Sequence, residues 1–167
     1  MVTTVPAIAE VWAWLADIAD PEIPVLSIVD LGIVRDVAYH EDRLHVTITP
    51  TYSGCPATMA IDALIRATLG GHGVRIFKLD VQLAPAWTSD WLTTDGRAKL
   101  RAYGIAPPEE SAAALGIGIM RRPEARVTCP RCAATDVALT SRFGSTPCKA
   151  LYRCNACLEP FDHFKCH

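Results

Sequence analysis

The chain has no apolar run approaching the ~18 residues that a membrane-crossing helix needs, so a helical integral membrane protein is excluded. It has no excess of basic charge either: 16 Lys and Arg stand against 18 Asp and Glu, giving a formal net charge of −2 and a pI near 6.2. That balance offers no global attraction to nucleic acid or to an anionic membrane. The first 15 residues lack a basic segment and carry Glu10 inside their apolar stretch, unlike a secretory signal peptide. A phosphate-cradling glycine loop is missing, because Gly70-Gly71-His72-Gly73 has the wrong spacing and follows a helical rather than a strand pattern. There is no nucleophile elbow, and the five histidines have neither triad-like nor zinc-protease spacing. The expectation is a cytoplasmic protein that is not itself an enzyme.

Half of the chain is hydrophobic and 20% is charged, so a packed core is within reach and disorder is not expected over most of its 167 residues. Seven cysteines in a reducing compartment point to metal binding or thiol chemistry before disulfides. Six of them (Cys129, Cys132, Cys148, Cys154, Cys157, Cys166) fall in the last 39 residues, and Cys55 stands apart. The split suggests an α/β domain over residues 1–105, a linker over 106–126 that opens with Ala106-Pro107-Pro108, and a Cys-rich module over 127–167.

Helical spacing of Ile8, Val11, Trp12, Leu15 and Ile18 predicts a first helix with Pro6 in its first turn, stopped by Pro21 and Pro24. Residues 33–39 and the alternating Leu44, Val46 and Ile48 predict a hairpin around His40-Glu41-Asp42. A second helix starts at Pro56, with Ile61, Leu64, Ile65 and Leu69 on its apolar stripe. Residues 74–83 make a third strand with a phase shift near Phe77, and residues 95–103 a third helix closed by Gly104. Trp87 and Trp91 are expected to pack against that helix. The fold class is α+β: a small sheet with helices packed on one face, followed by a zinc-ribbon-like β module.

Cys129-Pro130-Arg131-Cys132 and Cys154-Asn155-Ala156-Cys157 are two Cys-x-x-Cys knuckles separated by 21 residues. Each presents two thiolates, and a β-hairpin between them would bring the pairs onto one tetrahedral ion. A segment of ~40 residues needs such a cross-link to fold alone. The spacing favours zinc. An iron–sulfur cluster or iron is the alternative, and reduced cysteines without metal are the bland reading. Two features depart from a plain ribbon: Cys148 and Cys166 are spare thiols that could add ligands, and Ala133 and Leu158 occupy turn positions that favour a smaller residue.

Cys55 lies between a strand and Pro56. At the cap of the second helix its sulfur would face unpaired N–H groups and the positive end of the dipole, an environment that favours thiolate. A buried cysteine acting as a small hydrophobe is the alternative. Asp30 could approach the same surface, although a turn carboxylate is its plainer role.

Asp20-Pro-Glu-Ile-Pro-Val, Ile28-Val-Asp-Leu-Gly-Ile-Val and Thr49-Pro-Thr-Tyr-Ser-Gly-Cys-Pro resemble the SufT-like iron–sulfur assembly family. In that family the cysteine at the Cys-Pro position is the functional thiol, which implies a metal-transfer role for Cys55. Further runs are Pro85-Ala-Trp-Thr-Ser-Asp-Trp, Tyr103-Gly-Ile-Ala-Pro-Pro, Ser141-Arg-Phe-Gly-Ser-Thr-Pro-Cys-Lys-Ala-Leu-Tyr-Arg-Cys and Glu159-Pro-Phe-Asp-His-Phe-Lys-Cys. These are similar to the PaaD family of bacterial phenylacetate degradation. That resemblance implies an accessory role beside a multicomponent phenylacetyl-CoA epoxidase, whose oxygenase, structural partner or reductase subunits would be the partners. The role would be to mature a metal centre. The chain lacks the Glu-x-x-His pairs of a di-iron bundle. A cluster-bearing electron-transfer subunit and a zinc-ribbon docking module are the rival expectations, and a homodimer is left open.

Overall fold

The computed structural model describes residues 5–52, 54–109 and 126–165. The chain divides into two compact units, Met1–Trp87 and Thr88–His167.

In the first unit, helix α1 (Ile8–Ala16) is followed by strands β1 (Val34–His40) and β2 (Arg43–Ile48), helix α2 (Ala57–Gly71) and strand β3 (Phe77–Val81). Pro6 precedes α1 instead of opening it. Ala7 is the N-cap, and the Glu10 carboxylate accepts from its N–H at 2.8 Å, which satisfies one of the amides a helix start leaves unpaired. After α1, the Asp20 carboxylate accepts from the N–H groups of Glu22 and Ile23 at 2.9 and 2.8 Å, so the proline-flanked stretch folds as a side-chain-capped turn.

Strands β1 and β2 pair antiparallel through a two-residue turn, with Glu41 and Asp42 at φ 48° and 62°, the mirror-image turn geometry that matches strand twist. Strand β3 joins the far side of β2 in parallel, giving the order β1-β2-β3. The phase shift expected near Phe77 is not there: β2 and β3 run in continuous register, and the irregularity sits in β1 between Val34 and Asp36. Leu44, Val46 and Ile48 are buried, as are Val11 and Leu15 of α1 and Ile61, Ile65 and Leu69 of α2. α1 packs on both β1 and α2. Each such side chain contributes roughly 1.5–3 kcal/mol by leaving water. Leu64, expected on the stripe of α2, is instead 41% exposed. Trp87 is buried, and its indole N–H donates to the Leu31 carbonyl at 2.9 Å, which ties the end of this unit to the turn before β1.

In the second unit, a short 3-10 turn (Ser89–Trp91) leads to helix α3 (Thr94–Tyr103). Strands β4 (Ile105–Ala106), β5 (Val137–Ser141), β6 (Lys149–Cys154) and β7 (Pro160–Phe164) follow. Thr93 caps α3 by accepting from Gly96 N–H at 2.9 Å, and Gly104 ends it at φ 91°, the left-handed conformation glycine adopts without penalty. Arg97 donates to the carbonyls of Pro108 and Ser89. The sheet order is β4-β7-β6-β5, with β4 parallel to β7 and the other pairs antiparallel. Ala106, where composition suggested that a linker begins, is therefore a buried strand residue. Residues 110–125 of that linker lie outside the described residues. Among the described residues no helix is long and apolar enough to cross a membrane.

Candidate metal centre and the Cys55 loop

The two knuckles are built alike. Cys129 N–H donates to the Ala134 carbonyl at 2.9 Å, and Cys154 N–H donates to the Glu159 carbonyl at 3.0 Å. Each bond folds the chain back over its Cys-x-x-Cys turn, and the residue after the second cysteine takes a left-handed conformation: φ 60° at Ala133 and 65° at Leu158. In this conformation a Cβ crowds the following carbonyl, which is why a smaller residue is favoured at both positions. The hairpin of β5 and β6 pairs Val137 with Cys154, which carries the second knuckle to the first.

The sulfurs of Cys129, Cys132, Cys154 and Cys157 lie within 4.8 Å of one another. Two contacts cross between knuckles: Cys129 to Cys157 at 3.8 Å and Cys132 to Cys154 at 3.5 Å. Both are far too long for a disulfide, whose sulfurs sit ~2.05 Å apart. They match a tetrahedron: four sulfurs at ~2.3 Å from one ion are separated by about 3.8 Å. The donor set thus fits a single tetrahedral metal. The ligands of a multi-iron cluster sit on different metal atoms and spread further apart.

Electrostatics lead to the same requirement. The Cys157 N–H donates to the Cys154 sulfur at 3.5 Å and, with the Ala156 N–H and the neighbouring thiols, draws Cys154 down to about 7 against desolvation. The other side of the cluster moves the opposite way. A backbone hydrogen bond at Glu159 lowers Cys157, but desolvation and the sulfurs of Cys154, Cys132 and Cys129 outweigh it and push the thiol up to about 12. Cys132 also rises: the Ala134 backbone lowers it, but the Cys154 sulfur and desolvation prevail. Cys154 thus ionises before Cys132 and Cys157, and a cation among the sulfurs is what would let these three carry charge together.

Cys129 and Cys154 are buried in a small core with Ala106, Val127 and Phe161, and Val137 and Tyr152 pack against it. Cys148 is buried but lies elsewhere, its sulfur 3.0 Å from the Thr146 hydroxyl. It does not belong to the four-sulfur group. Cys166 lies outside the described residues.

Cys55 occupies the loop between β2 and α2, after Gly54 at φ 88°. The N-cap of α2 is Pro56, one residue later than expected. Cys55 N–H donates to the Tyr52 carbonyl at 3.2 Å, and its own carbonyl accepts from Thr58 N–H at 3.1 Å. The residue is pinned by its backbone at both ends, and its thiol is half-buried. Asp30 is engaged with Ser27: the carboxylate accepts from Ser27 N–H at 3.0 Å while the Ser27 hydroxyl accepts from Asp30 N–H at 2.9 Å. This reciprocal pair gives Asp30 the part of a turn carboxylate.

A staple near β7 has no counterpart in the sequence motifs. Asp162 accepts from the Ser145 hydroxyl at 3.3 Å and lies 3.8 Å from the buried Lys149 ammonium. Gly144 packs so closely that a Cβ there would stand 2.6 Å from an Asp162 carboxylate oxygen. The signal is present in the run Ser141-Arg-Phe-Gly-Ser, but a glycine required by close approach reads like any loop glycine.

Similarity to known proteins follows the same division. Residues 8–75, which include Cys55, match the model of the iron–sulfur cluster assembly protein family. Residues 119–165, with all four clustered cysteines, match the PaaD zinc beta ribbon domain. An Escherichia coli (strain K12) protein, named as one of the subunits of a "Putative 1,2-phenylacetyl-CoA epoxidase", is 50% identical over 161 residues, covering 96% of this chain and 94% of that protein. A crystal structure of a DUF59 domain of unknown function from Bacillus anthracis aligns with TM-score 0.52 and 27% identity, over 56% of this chain and 90% of that one. Identity of this level across nearly the whole length places the chain in the PaaD family, in which an iron–sulfur assembly domain is joined to a PaaD zinc β-ribbon.

Proposed function

We propose that this chain is an accessory protein of a phenylacetyl-CoA epoxidase system and assists assembly of an iron or iron–sulfur centre in one of the partner subunits, without carrying out the epoxidation. The relative of matching length carries the name of a subunit of such an epoxidase, and the family model over residues 8–75 is that of iron–sulfur cluster assembly. In this reading the unit Met1–Trp87 is the assembly domain, and the unit Thr88–His167 is the module that Cys129, Cys132, Cys154 and Cys157 hold around a zinc ion.

The observation that carries the proposal is the contrast between the two kinds of sulfur site. Four thiols within 4.8 Å suit an ion that stays. A single half-buried thiol on a backbone-pinned loop suits cargo that must leave, because one thiolate binds more weakly than four. Iron or a cluster is thus the substrate of Cys55, and the zinc a resident structural ion. Zinc has no redox chemistry, which disfavours the electron-transfer reading.

The test is Cys55→Ser in cells that depend on the chain for epoxidase activity, scored beside Cys129→Ala. Loss of epoxidase activity with normal levels of folded protein is the expected result for Cys55→Ser. Wild-type activity in that variant would end the transfer role. Metal analysis of anaerobically isolated protein should give about one zinc per chain, lost in Cys129→Ala; iron with matching sulfide would move the ribbon to the cluster class.

A further inference from the structure

Exposed sheet edges invite pairing with other chains, and proteins blunt them with bulges, very short strands or charges. The two sheets have four outer strands: β1, β3, β4 and β5. β1 breaks register between Val34 and Asp36, and β5 does so between Leu139 and Ser141. β4 is two residues long. Among the described residues β3 alone is a regular five-residue edge, in unbroken register with β2 from Phe77 to Val81.

The apolar face of that edge is incompletely covered. Phe77, Leu79 and Val81 pair with the buried Leu44, Val46 and Ile48 of β2 and share their face. Yet Val81 is 50% exposed, and Leu83 just beyond it is 61% exposed. Over Phe77 the cover from α2 is the Arg66 guanidinium, 5.7 Å from the ring. The opposite face carries Lys78 and Asp80, 2.8 Å apart and both partly open to solvent. His45 of β2 approaches Asp80 at 3.5 Å.

We propose that β3 is a homodimerisation edge, on which a second copy of this chain docks antiparallel about a two-fold axis through Leu79. In that register Lys78 faces the partner copy's Asp80, and Asp80 faces its Lys78. On the other face, Phe77 meets the partner copy's Val81, and the two Leu79 side chains meet each other. The charges select this register. Centring on Lys78 opposes two ammonium groups, and centring on Asp80 opposes two carboxylates. A one-residue slip sets the charged face of one copy against the apolar face of the other. A lone lysine would guard the edge; Lys78 with Asp80 two residues on makes it self-complementary.

The test is sedimentation equilibrium of the full chain, wild type beside Lys78→Asp, Asp80→Lys and the double exchange K78D/D80K. All three variants alter partly exposed side chains, and circular dichroism checks that each is folded. Wild type should be a dimer in the micromolar range. Each single reversal creates two like-charge pairs and should weaken association about tenfold or more. The double exchange restores opposite charges and should recover most of the loss. A monomeric wild type, a dimer indifferent to the single reversals, or a double exchange as weak as the singles would each overturn the proposal. So would an edge that binds only an epoxidase component.

Discussion

The two units hold themselves together by different means. Among the described residues the first buries sixteen Leu, Ile and Val side chains, the second four, and the second adds Cys129, Cys148 and Cys154 to its core. Charge divides along the same line. Residues 1–87 carry five basic and ten acidic side chains, a net −5. Residues 88–167 carry eleven and eight, a net +3, and together these give the −2 of the whole chain. A near-neutral total therefore conceals two oppositely charged parts. An ordinary aliphatic core fixes a sheet without outside help. A unit whose core includes two sulfurs of a four-cysteine cluster should fold conditionally on an ion held there.

Metal removal breaks this comparison most sharply. Structural zinc contributes on the order of 10 kcal/mol to the folding of small Cys-rich modules. A strong chelator at neutral pH should therefore strip hydrogen-exchange protection from β5, β6 and β7 while β1, β2 and β3 keep theirs. Uniform loss in both units, or none in either, would contradict the division. Cys129→Ala should reproduce the chelator effect, since it removes both a ligand and a buried core side chain.

The next effect concerns the staple beside β7. Gly144→Ala places a methyl 2.6 Å from an Asp162 oxygen and 3.3 Å from the Lys149 Cβ. Asp162 is held by Ser145 and Lys149, so it yields with difficulty, and the cost should be about 1–3 kcal/mol. Denaturant unfolding of the metal-loaded protein measures it, and a change below ~0.5 kcal/mol would show that the loop simply moves aside.

What could be read from the sequence follows from how local the cause is. Period-two alternation at Leu44, Val46 and Ile48 and the Gly104 stop are local, and both elements stand where they were expected. The four-cysteine donor set was legible because two knuckles at ribbon spacing have few other uses, and the structure gathers those four sulfurs. Non-local causes were hidden. Nothing near Ala106 signals that it pairs with β7, because its partner His163 lies 57 residues on. Leu64 fits the helical stripe by number, but the sheet is narrow and leaves that side of α2 in solvent. Trp87 finds its partner at Leu31, 56 residues back.

Acid should separate the units in a third way. His163 is buried against Tyr152, with its Nδ1 3.2 Å from the Ala106 carbonyl, and desolvation lowers its pKa below 6.5, only partly opposed by the Ala106 hydrogen bond and Glu109. A lowered folded-state value means that the unfolded chain binds the proton first. The stability His163 contributes is thus complete above pH 6.5 and is lost as pH falls through the folded-state pKa. The slope is at most about 1.4 kcal/mol per pH unit for one proton. His163→Asn should flatten the acid limb of second-unit stability relative to wild type. An unchanged limb would assign acid sensitivity to the thiolate ligands alone.

The smallest effect sets the two sulfur sites side by side. Before Cys55 the left-handed position is already filled by Gly54, whereas in the knuckles it is filled by Ala133 and Leu158. An L-residue in that conformation costs about 1–2 kcal/mol, and glycine returns roughly 0.5–1 kcal/mol of this as added freedom in the unfolded chain. Leu158 is 59% exposed, so its replacement gives up little packing. Leu158→Gly should therefore stabilise the metal-loaded second unit by about 0.5–1 kcal/mol, whereas Gly54→Ala should destabilise the first by about as much. Thermal unfolding of each variant decides the matter. Opposite signs would mean that backbone strain was left in the knuckles and relieved at the Cys55 loop. A destabilised Leu158→Gly would show instead that the leucine side chain contributes more to the knuckle than its backbone strain costs.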